Sequence, residues 1–384
     1  MRIALVAGEA SGDALGAALI EALRKKFPDA QFAGVAGPRM KAAGCIAWHD
    51  VEELSVMGLT EVLSSLPRLW RLRSNLRKRI LGWRPDVFIG VDFKEFNLGL
   101  AKLLKAAGLP TVQYVSPQVW AWRQGRVRTI GASVDMVLCL FPFEPDFYRE
   151  HGVRAAFVGH PLADQVPLEV DRAAARAELG IDPAAKVLAI LPGSRRGEVE
   201  RLADEFAGAA ELLAAKFPGL VSVAPMVTPA LRDLFAAHCA QRAPHAAIRM
   251  LDGNARLALS AADVVLVASG TATLEAALYK RPMVVAYKLG AITAFLLQKL
   301  GLVKVKHFSQ PNLLAGAALV PEFFQEAATA ANLSTALARW LDHPEEVAQV
   351  QKEFAVIHAR LRCSGAERAA SEIAELLAAW TAQV

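Results

Sequence analysis

A glycine- and arginine-rich turn is the segment of this chain whose residue types most clearly predict a chemistry. An apolar run over 187–191 ends there, and a helical pattern starts at Glu198. A helix that begins directly after a strand presents unpaired backbone N–H groups, which bind anions. The glycines of the turn permit close approach, its serine adds a donor, and its arginines carry planar guanidinium groups that match phosphate oxygens. The residues that predict this diphosphate site are Gly193, Ser194, Arg195, Arg196 and Gly197.

A second strand-to-helix turn follows the apolar run 264–268. Ser269, Gly270 and Thr271 can cap the helix that begins there, and the same backbone amides can face a phosphate. Glu275 lies about one helical turn further on. Its carboxylate is well placed to accept hydrogen bonds from both hydroxyls of a ribose. The alternative is an ordinary capped helix with a solvated glutamate, but beside the first turn the pattern favours a nucleotide.

Asp92 is the residue we consider as a general base, because it directly follows the apolar run 86–91. Desolvation at a buried strand end can raise the pKa of a carboxyl group to a range that suits proton abstraction. Asp92 can equally cap the next helix, and the residues alone leave both interpretations open. No Asp-x-Asp pair occurs in the chain. Without that metal-binding pair, arginines and helix N-termini remain to neutralise a diphosphate, and no metal site is predicted.

The first turn of the chain, from Gly8 to Gly16, carries the carboxylates of Glu9 and Asp13. Both would repel a phosphate, so they suit sugar hydroxyls or a helix cap instead. Because the turn does not fit Gly-x-Gly-x-x-Gly, it argues against nicotinamide binding. After another apolar run, Trp120, Trp122 and Arg123 could stack on sugar rings or belong to a core or an interface.

The stretch 66–84 predicts a basic, amphipathic helix. Its basic residues are Arg68, Arg71, Arg73, Arg77, Lys78, Arg79 and Arg84, set among leucines and tryptophans. Such a surface suits anionic lipid headgroups, whereas the alternative is a solvated basic face whose apolar side covers a sheet. Nucleic acid is a third option, but no binding motif accompanies the charge. The apolar and basic segment 292–306 gives weak support for lipid contact.

The elements that must position these residues alternate between strand and helix along the whole chain. We predict strands near 3–7, 86–91, 111–115, 134–140, 187–191, 221–224, 263–268 and 283–287. This alternation predicts parallel sheets with helices on both faces, in two doubly wound halves joined near Gly159 to Leu162. Two such halves facing a cleft would bring their strand ends together, and every turn described above falls at such an end.

Composition limits the classes to which the chain can belong. A length of 384 residues predicts two domains. The mean hydropathy of +0.29 is high, but no uninterrupted apolar run is long enough to predict a transmembrane helix. The apolar N-terminus ends at Glu9, which is typical of a first buried strand rather than of a signal peptide. Four scattered cysteines without metal-ligand spacing indicate a reducing compartment.

Taken together, seven segments resemble the lipid-A-disaccharide synthase family of inverting glycosyltransferases, over nearly the whole chain. They are Gly8–Asp13, Val35–Met40, Ser116–Arg123, Leu191–Arg195, Ala268–Glu275, Pro282–Val285 and Pro311–Gly316. The resemblance implies a GT-B fold with three parts. These are an acceptor domain over 1–165, a UDP-donor domain over 166–345, and helices over 346–384 that return to the first domain or to a partner subunit.

The resemblance also implies the reaction and its residues. The reaction is transfer of 2,3-diacylglucosamine from UDP to 2,3-diacylglucosamine 1-phosphate, with inversion and without a cofactor. Asp92 is then the base, Glu9 an active-site carboxylate, and Arg195, Glu275 and Asn312 bind UDP together with the two turns described above. The residues expected to contact the acceptor or lipid are Ser11, Gly12, Asp13, Met57, Trp120, Trp122 and Arg123. A homodimer with swapped C-terminal segments, attached to the cytoplasmic face of the inner membrane, is implied as well.

Two departures and two rivals accompany this resemblance. Family members usually carry a proline and an aspartate after the Asp92 position, where this chain has Phe93-Lys94-Glu95, and often a leucine where it has Gln310. A UDP-GlcNAc 2-epimerase would share the architecture without needing a lipid surface. A membrane-surface protein without catalytic activity would bind UDP but would not turn it over. Asn312 can also be only a turn residue.

Overall fold

A computed structural model describes residues 1–55, 62–119, 124–290 and 306–382. The chain divides into two compact units, one of Met1–Asp164 with Leu361–Val384 and one of Gln165–Arg360. Each unit is built on a parallel sheet with helices between its strands. The predicted fold class, two doubly wound α/β units followed by a helical C-terminal segment, is confirmed.

The elements of the first unit are bounded as follows. Its strands are β1 (Arg2–Ala7), β2 (Gln31–Ala36), β3 (Cys45–Asp50), β4 (Val87–Val91), β5 (Thr111–Tyr114), β6 (Met136–Cys139) and β7 (Ala155–Phe157). Its helices are α1 (Ala10–Lys26), α2 (Pro38–Ala42), α3 (Glu52–Ser55), α4 (Val62–Trp83), α5 (Lys94–Lys105), α6 (Val127–Ser133) and α7 (Glu144–Arg149). A short 3₁₀ helix covers Gln124–Arg126, and α8 (Pro161–Gln165) leads into the second unit.

The second unit continues the same alternation. Its strands are β8 (Val187–Leu191), β9 (Val221–Met226), β10 (Ile248–Asp252), β11 (Val264–Ala268), β12 (Met283–Tyr287) and β13 (Glu322–Phe324). Its helices are α9 (Arg172–Glu178), α10 (Arg196–Lys216), α11 (Pro229–Arg242), α12 (Ala255–Ala261), α13 (Thr271–Leu278), α14 (Gln310–Ala315), α15 (Ala330–Asp342) and α16 (Pro344–Leu361). A 3₁₀ helix spans Gln325–Ala327, and α17 (Gly365–Thr381) belongs again to the first unit.

Each sheet has one point at which the strand order reverses. Among the described residues, the first sheet has the order β3-β2-β1-β4-β5-β6-β7 and the second the order β10-β9-β8-β11-β12-β13. Reversal therefore occurs between β1 and β4, and between β8 and β11. Loops that leave neighbouring strands in opposite directions form a crevice at such a switch point, and ligands bind there.

The central strands are apolar on both faces because helices cover both sides of the sheet. In β1, Ile3 and Leu5 belong to a core that includes α1 and α17, whereas Ala4 and Val6 belong to a second core beneath α4 and α5. This burial explains why the central strands read as nearly continuous apolar runs.

Most of the strands that our sequence analysis missed are edge strands. β3, β7, β10 and β13 lie at the edges of the two sheets, and their residues are mostly half-buried or exposed. An edge strand can therefore be short and polar. The sequence pattern also predicts a helix near 291–300, and these residues lie outside the described part of the chain.

Candidate active site

Asp92 lies at the switch point of the first sheet. The ends of β1 and β4 are paired there, with Ala7 opposite Val91. The Asp92 carboxylate does not cap α5, which begins after Phe93 without a side-chain cap. Within the described residues its one side-chain contact is with Ser11, whose Oγ lies 3.5 Å from Oδ2. Of the two interpretations that the sequence left open, the geometry therefore disfavours the cap and leaves this carboxylate available for chemistry.

The backbone at Asp92 is in a rare conformation. Asp92 has φ 51° and Phe93 has φ 39°, both in the left-handed region that non-glycine residues seldom adopt. The Phe93 ring lies over Gly8, where an added Cβ would come within 2.1 Å of Cγ of Phe93. Gly8 is thus needed for packing between two loops, and backbone strain of this kind concentrates at functional sites.

Neither Gly12 nor Asp13 fits its expected role as an acceptor contact. The Asp13 carboxylate is only 3% exposed and accepts the backbone N–H groups of Gly37, Arg39 and Met40 at 2.8–3.0 Å. It therefore holds the start of α2 and has no face left for a sugar, so the capping alternative is correct. Gly12 is buried, and a Cβ there would lie 3.3 Å from the Val91 carbonyl. By contrast, Glu9 and Ser11 are exposed, and the Ser11 hydroxyl faces Asp92.

The turn at the switch point of the second sheet is already occupied by a carboxylate. Oε2 of Glu198 accepts the N–H groups of Ser194 at 3.0 Å and of Arg195 at 3.3 Å. Gly193, at φ 133°, makes room for Glu198, whose Cβ would lie 2.6 Å from a Cβ added to the glycine. The expectation that these two amides are free is therefore wrong, because Glu198 takes the place that an anion would take.

The arginines of this turn differ in their surroundings. The Arg195 side chain is 79% exposed and lies 3.7 Å from Glu198. Arg196 instead forms an ion pair with Glu200 at 2.7 Å. Arg195 is thus the better placed of the two to reach an anion.

The N-terminus of α13 is the more open anion site of the two. Gly270 precedes the helix at φ 150°, and no side chain caps it. Ser269 is not a cap, because its N–H donates to the Ala286 carbonyl and its hydroxyl to the Phe308 carbonyl. Among the described residues the amides of Thr271 and Ala272 have no hydrogen-bond partner, whereas the Thr273 N–H donates to the Gly270 carbonyl. Such unpaired amides at a helix N-terminus can bind an anion.

Glu275 lies one turn further along α13 and is half-buried. Burial raises the pKa of its carboxyl group, and the charge of Arg256 opposes that shift only in part. In the part of the chain that the structure describes, its carboxylate has no hydrogen-bond partner. A desolvated acceptor beside an open helix N-terminus matches a ribose next to a diphosphate.

Asn312 is hydrogen-bonded within its own unit. Its side chain is fully buried, its Oδ1 accepts the N–H groups of Leu319 and Val320, and its Nδ2 donates to the Val320 carbonyl. Both polar atoms of this side chain therefore form hydrogen bonds with the loop after α14. Asn312 thus shapes this loop in the structure, and its assignment to the donor site stays a prediction.

Some predicted contacts lie outside the described residues. These are Met57, Trp120, Trp122 and Arg123, together with all but the last residue of the segment 292–306. In the described chain, no group of three or more His, Cys, Asp or Glu residues is arranged to hold a metal ion.

Helix α4 buries one face against the sheet and exposes basic residues on another. Leu76 and Ile80 are buried against the sheet, as in the simple covering helix. Trp70 is nevertheless 66% exposed and has the Arg73 guanidinium 4.9 Å from its ring centroid. Arg68, Arg71 and Lys78 are exposed as well. No described helix is long and apolar enough to cross a membrane.

Our sequence analysis missed the buried glutamine that lies under Asp92. Gln113 is fully buried in β5, and its amide donates to the Asp92 carbonyl at 3.0 Å. The available signal was a single polar residue within an otherwise apolar strand end. Our sequence analysis likewise treated Glu198 only as the start of a helix and did not predict its hydrogen bonds to the turn before it.

Comparison with known proteins shows which family the chain belongs to. Residues 3–374 match the family model of lipid-A-disaccharide synthetase. The chain is 53% identical to the lipid-A-disaccharide synthase of Xanthomonas campestris pv. campestris (strain 8004), over 98% of this chain and 86% of the relative. It is 50% identical to the same enzyme of Xylella fastidiosa (strain M12), over 98% of both chains.

Solved structures show the fold alone, because their sequences have diverged further. The UDP-GlcNAc 2-epimerase of Neisseria meningitidis bound to UDP-GlcNAc superimposes with a TM-score of 0.65 at 14% identity, covering 98% of this chain and 99% of the other. Acinetobacter baumannii MurG gives a TM-score of 0.60 at 12% identity, covering 97% and 99%. Both units thus have the Rossmann-like architecture of GT-B proteins, and the family match over almost the full length decides between the enzymes that share it. The chain belongs to the lipid-A-disaccharide synthetase family and is a glycosyltransferase of lipid A biosynthesis.

Proposed function

We propose that this enzyme transfers 2,3-diacylglucosamine from UDP-2,3-diacylglucosamine to the 6-hydroxyl of 2,3-diacylglucosamine 1-phosphate. The product is a β-1,6-linked disaccharide 1-phosphate, and UDP is released. The observation that carries this proposal is the difference between the two switch points. One offers the carboxylate of Asp92, which makes no cap, and the other offers an open helix N-terminus with Glu275 behind it.

In the proposed reaction, Asp92 accepts the proton of the acceptor hydroxyl as its oxygen attacks the anomeric carbon. The new C–O bond forms in line with the bond that breaks, and the electron pair of the broken bond leaves with UDP, so the anomeric configuration inverts. Glu9 precedes α1 and Ser11 lies in its first turn, where the two side chains would orient the sugar. General-base assistance of this kind contributes about 100- to 10,000-fold.

UDP is proposed to bind to the second unit. The first amides of α13 and the exposed guanidinium of Arg195 would neutralise the diphosphate as it departs. Glu275 would accept hydrogen bonds from the ribose hydroxyls. Since these groups supply the positive potential themselves, we expect the reaction to proceed without a divalent metal.

Contact with an anionic lipid surface through α4 is part of the proposal, because the substrates carry acyl chains. Exposed Trp70 and the neighbouring Arg71 and Lys78 form a surface suited to acidic headgroups at the cytoplasmic face of the inner membrane. A homodimer with swapped C-terminal segments is proposed from the family resemblance, and sedimentation of the purified protein measures it.

The test is an assay of the purified protein with both lipid substrates in detergent, with and without EDTA. UDP release and the mass of the lipid product are followed together. Equal amounts of UDP and disaccharide 1-phosphate, unaffected by EDTA, are the expected result.

Two other outcomes would redirect the assignment. UDP binding without any product would contradict the acceptor that we propose and favour a protein that binds the nucleotide only. Conversion of UDP-GlcNAc to its 2-epimer would instead favour the epimerase whose fold this chain shares. Loss of product in EDTA would remove metal independence from the mechanism.

A further inference from the structure

The carboxyl ends of three neighbouring strands meet around two buried amide side chains. Asn97 is fully buried on α5, and its Nδ2 donates to the carbonyls of Val6 at 3.1 Å and of Asp92 at 3.0 Å, with Val91 at 3.4 Å. Gln113, fully buried in β5, donates to the Asp92 carbonyl at 3.0 Å. The two amides therefore share one acceptor, the main-chain oxygen of Asp92.

Gln113 has further acceptors close by. Its Nε2 lies 3.3 Å from the Tyr114 carbonyl and 3.4 Å from the Val115 carbonyl. Because the neighbours of both amides are carbonyl oxygens, the nitrogens have to face them. Oδ1 of Asn97 and Oε1 of Gln113 are then buried without a hydrogen-bond partner among the described residues. A fold that served only stability would fill this place with apolar side chains, because buried acceptors without partners are costly.

Three residues with rare backbone conformations surround this amide pair. Asp92, Phe93 and Val115 have φ values of 51°, 39° and 79°, and a β-branched residue at positive φ is an outlier. Gly90 makes room for both amides, because a Cβ there would lie 2.8 Å from Cβ of Asn97 and 3.0 Å from Oε1 of Gln113. Glycine, strain and unpaired acceptors thus coincide at the loop that carries Asp92.

From this arrangement we propose that Asn97 and Gln113 are positioning residues, which fix the main chain of Asp92 so that its carboxylate meets the acceptor hydroxyl. The inference rests on the proposed role of Asp92 as the base. Neither amide touches the substrate, so both act through the orientation of Asp92. A displacement of about 1 Å at a reacting group costs roughly 100-fold in rate.

The test compares Gln113→Met and Asn97→Leu, which keep approximate volume but remove the donor, with Thr111→Val as the matched control. Thr111 is fully buried in the same strand, and its hydroxyl donates to Asp135 at 2.9 Å, at the opposite end of β5 from Asp92. We expect Gln113→Met and Asn97→Leu to lower kcat about 10- to 100-fold with KM within about twofold. Thr111→Val should keep kcat within about twofold of the wild type. Folding of each variant is checked by circular dichroism and by its affinity for UDP.

A double-mutant cycle separates positioning from general damage. When Asp92→Asn has already removed the base, adding Gln113→Met should lower the residual rate less than twofold. An equal further loss would mean that Gln113 acts independently of Asp92 and would overturn the inference, as would wild-type kcat in folded Gln113→Met and Asn97→Leu. Wild-type turnover by Asp92→Asn would instead overturn the proposed base itself.

Discussion

At the residue scale, most polar side chains that we describe at the two switch points are hydrogen-bonded within the protein. The proposed chemistry depends on the few that are not. In the first unit the Asp13 carboxylate accepts three backbone amides, whereas the Asp92 carboxylate has one hydrogen bond among the described residues, from Ser11. In the second unit Glu198 accepts hydrogen bonds from two backbone amides, and the Asn312 side chain is hydrogen-bonded to a loop. Residues of the same type therefore have different roles according to the hydrogen bonds that the fold makes with them.

The substitution Asp92→Asn should strongly lower turnover and leave UDP binding intact. The amide is nearly isosteric with the carboxylate but cannot accept the proton, so kcat should fall by about 100- to 10,000-fold. Steady-state kinetics measure the loss, and calorimetry with UDP serves as the control. Unchanged turnover would remove Asp92 as the base.

The affinity for UDP should depend on pH through Glu275. Burial raises the pKa of this carboxyl group in the folded protein, so its charge is lost on acidification earlier than that of an ordinary glutamate. In the proposed role the ionised carboxylate accepts hydrogen bonds from both ribose hydroxyls. Because Glu275 is fully ionised only above its raised pKa, the affinity for UDP should decrease as the pH falls through that pKa. The same raised pKa means that ionised Glu275 costs stability above it, and protonation relieves this cost.

Glu275→Gln is the matched variant for that measurement. It keeps an acceptor but cannot titrate, so it should bind UDP more weakly than the wild type at neutral pH and lose the part of the acid dependence that Glu275 contributes. Fluorescence titrations with UDP between pH 5 and 8 compare the two proteins. Identical dissociation constants and pH profiles would contradict the ribose contact.

At the scale of elements, each site depends on the order in which strands and helices are joined. The strands β1 and β4 are paired, and the strand order reverses between them. Phe93, which follows β4, packs on Gly8, which follows β1. Phe93, at φ 39°, adopts a conformation that proline cannot reach, because the proline ring fixes φ near −65°. The departure from the family pattern after Asp92 is thus compatible with this loop, whereas a proline at this position would require a different one.

Asp13→Ala should destabilise the first unit without changing the chemistry. The substitution leaves three backbone N–H groups at the start of α2 without their acceptor, which costs about 1–3 kcal/mol. The apparent midpoint of thermal unfolding should fall, while the KM for the acceptor stays within about twofold below that temperature. Asp29→Ala, which removes an exposed carboxylate, is the control. A raised KM for the acceptor at an unchanged midpoint would restore Asp13 as a sugar contact.

At the scale of the whole molecule, α4 carries an exposed basic surface, and the chain belongs to a family of lipid A biosynthesis. The charge of the chain is only +5. The concentration of arginines beside Trp70 therefore indicates a local role rather than a general attraction to anions.

Removing two of these charges should weaken binding to vesicles that contain acidic phospholipid. Each basic residue near such a surface contributes about 1 kcal/mol, so Arg71→Ala with Lys78→Ala should lower partitioning roughly 30-fold at low salt. Lys102→Ala with Arg149→Ala removes the same charge from exposed positions on α5 and α7 and is the control. Equal loss in the two pairs, measured by vesicle sedimentation, would argue against α4 as the contact surface.

The sequence alone determined the fold class, the family and the strand-to-helix turns that carry the chemistry. These depend on local patterns, since apolar runs, glycines and helix starts follow one another along the chain. The missed edge strands show the limit of such patterns, because exposed strands such as β10 do not need to be apolar.

Only the tertiary structure decided which polar groups are free. Glu9 and Asp13 lie four residues apart and look alike in sequence, yet Asp13 meets α2, which is more than twenty residues away along the chain, and Glu9 remains exposed. In the same way, Asn97 and Gln113 come from a helix and a strand, and both side chains donate to the Asp92 carbonyl. Hydrogen bonds between distant segments form as the chain packs, so the residues that a ligand can reach are fixed by the fold and not by sequence neighbours.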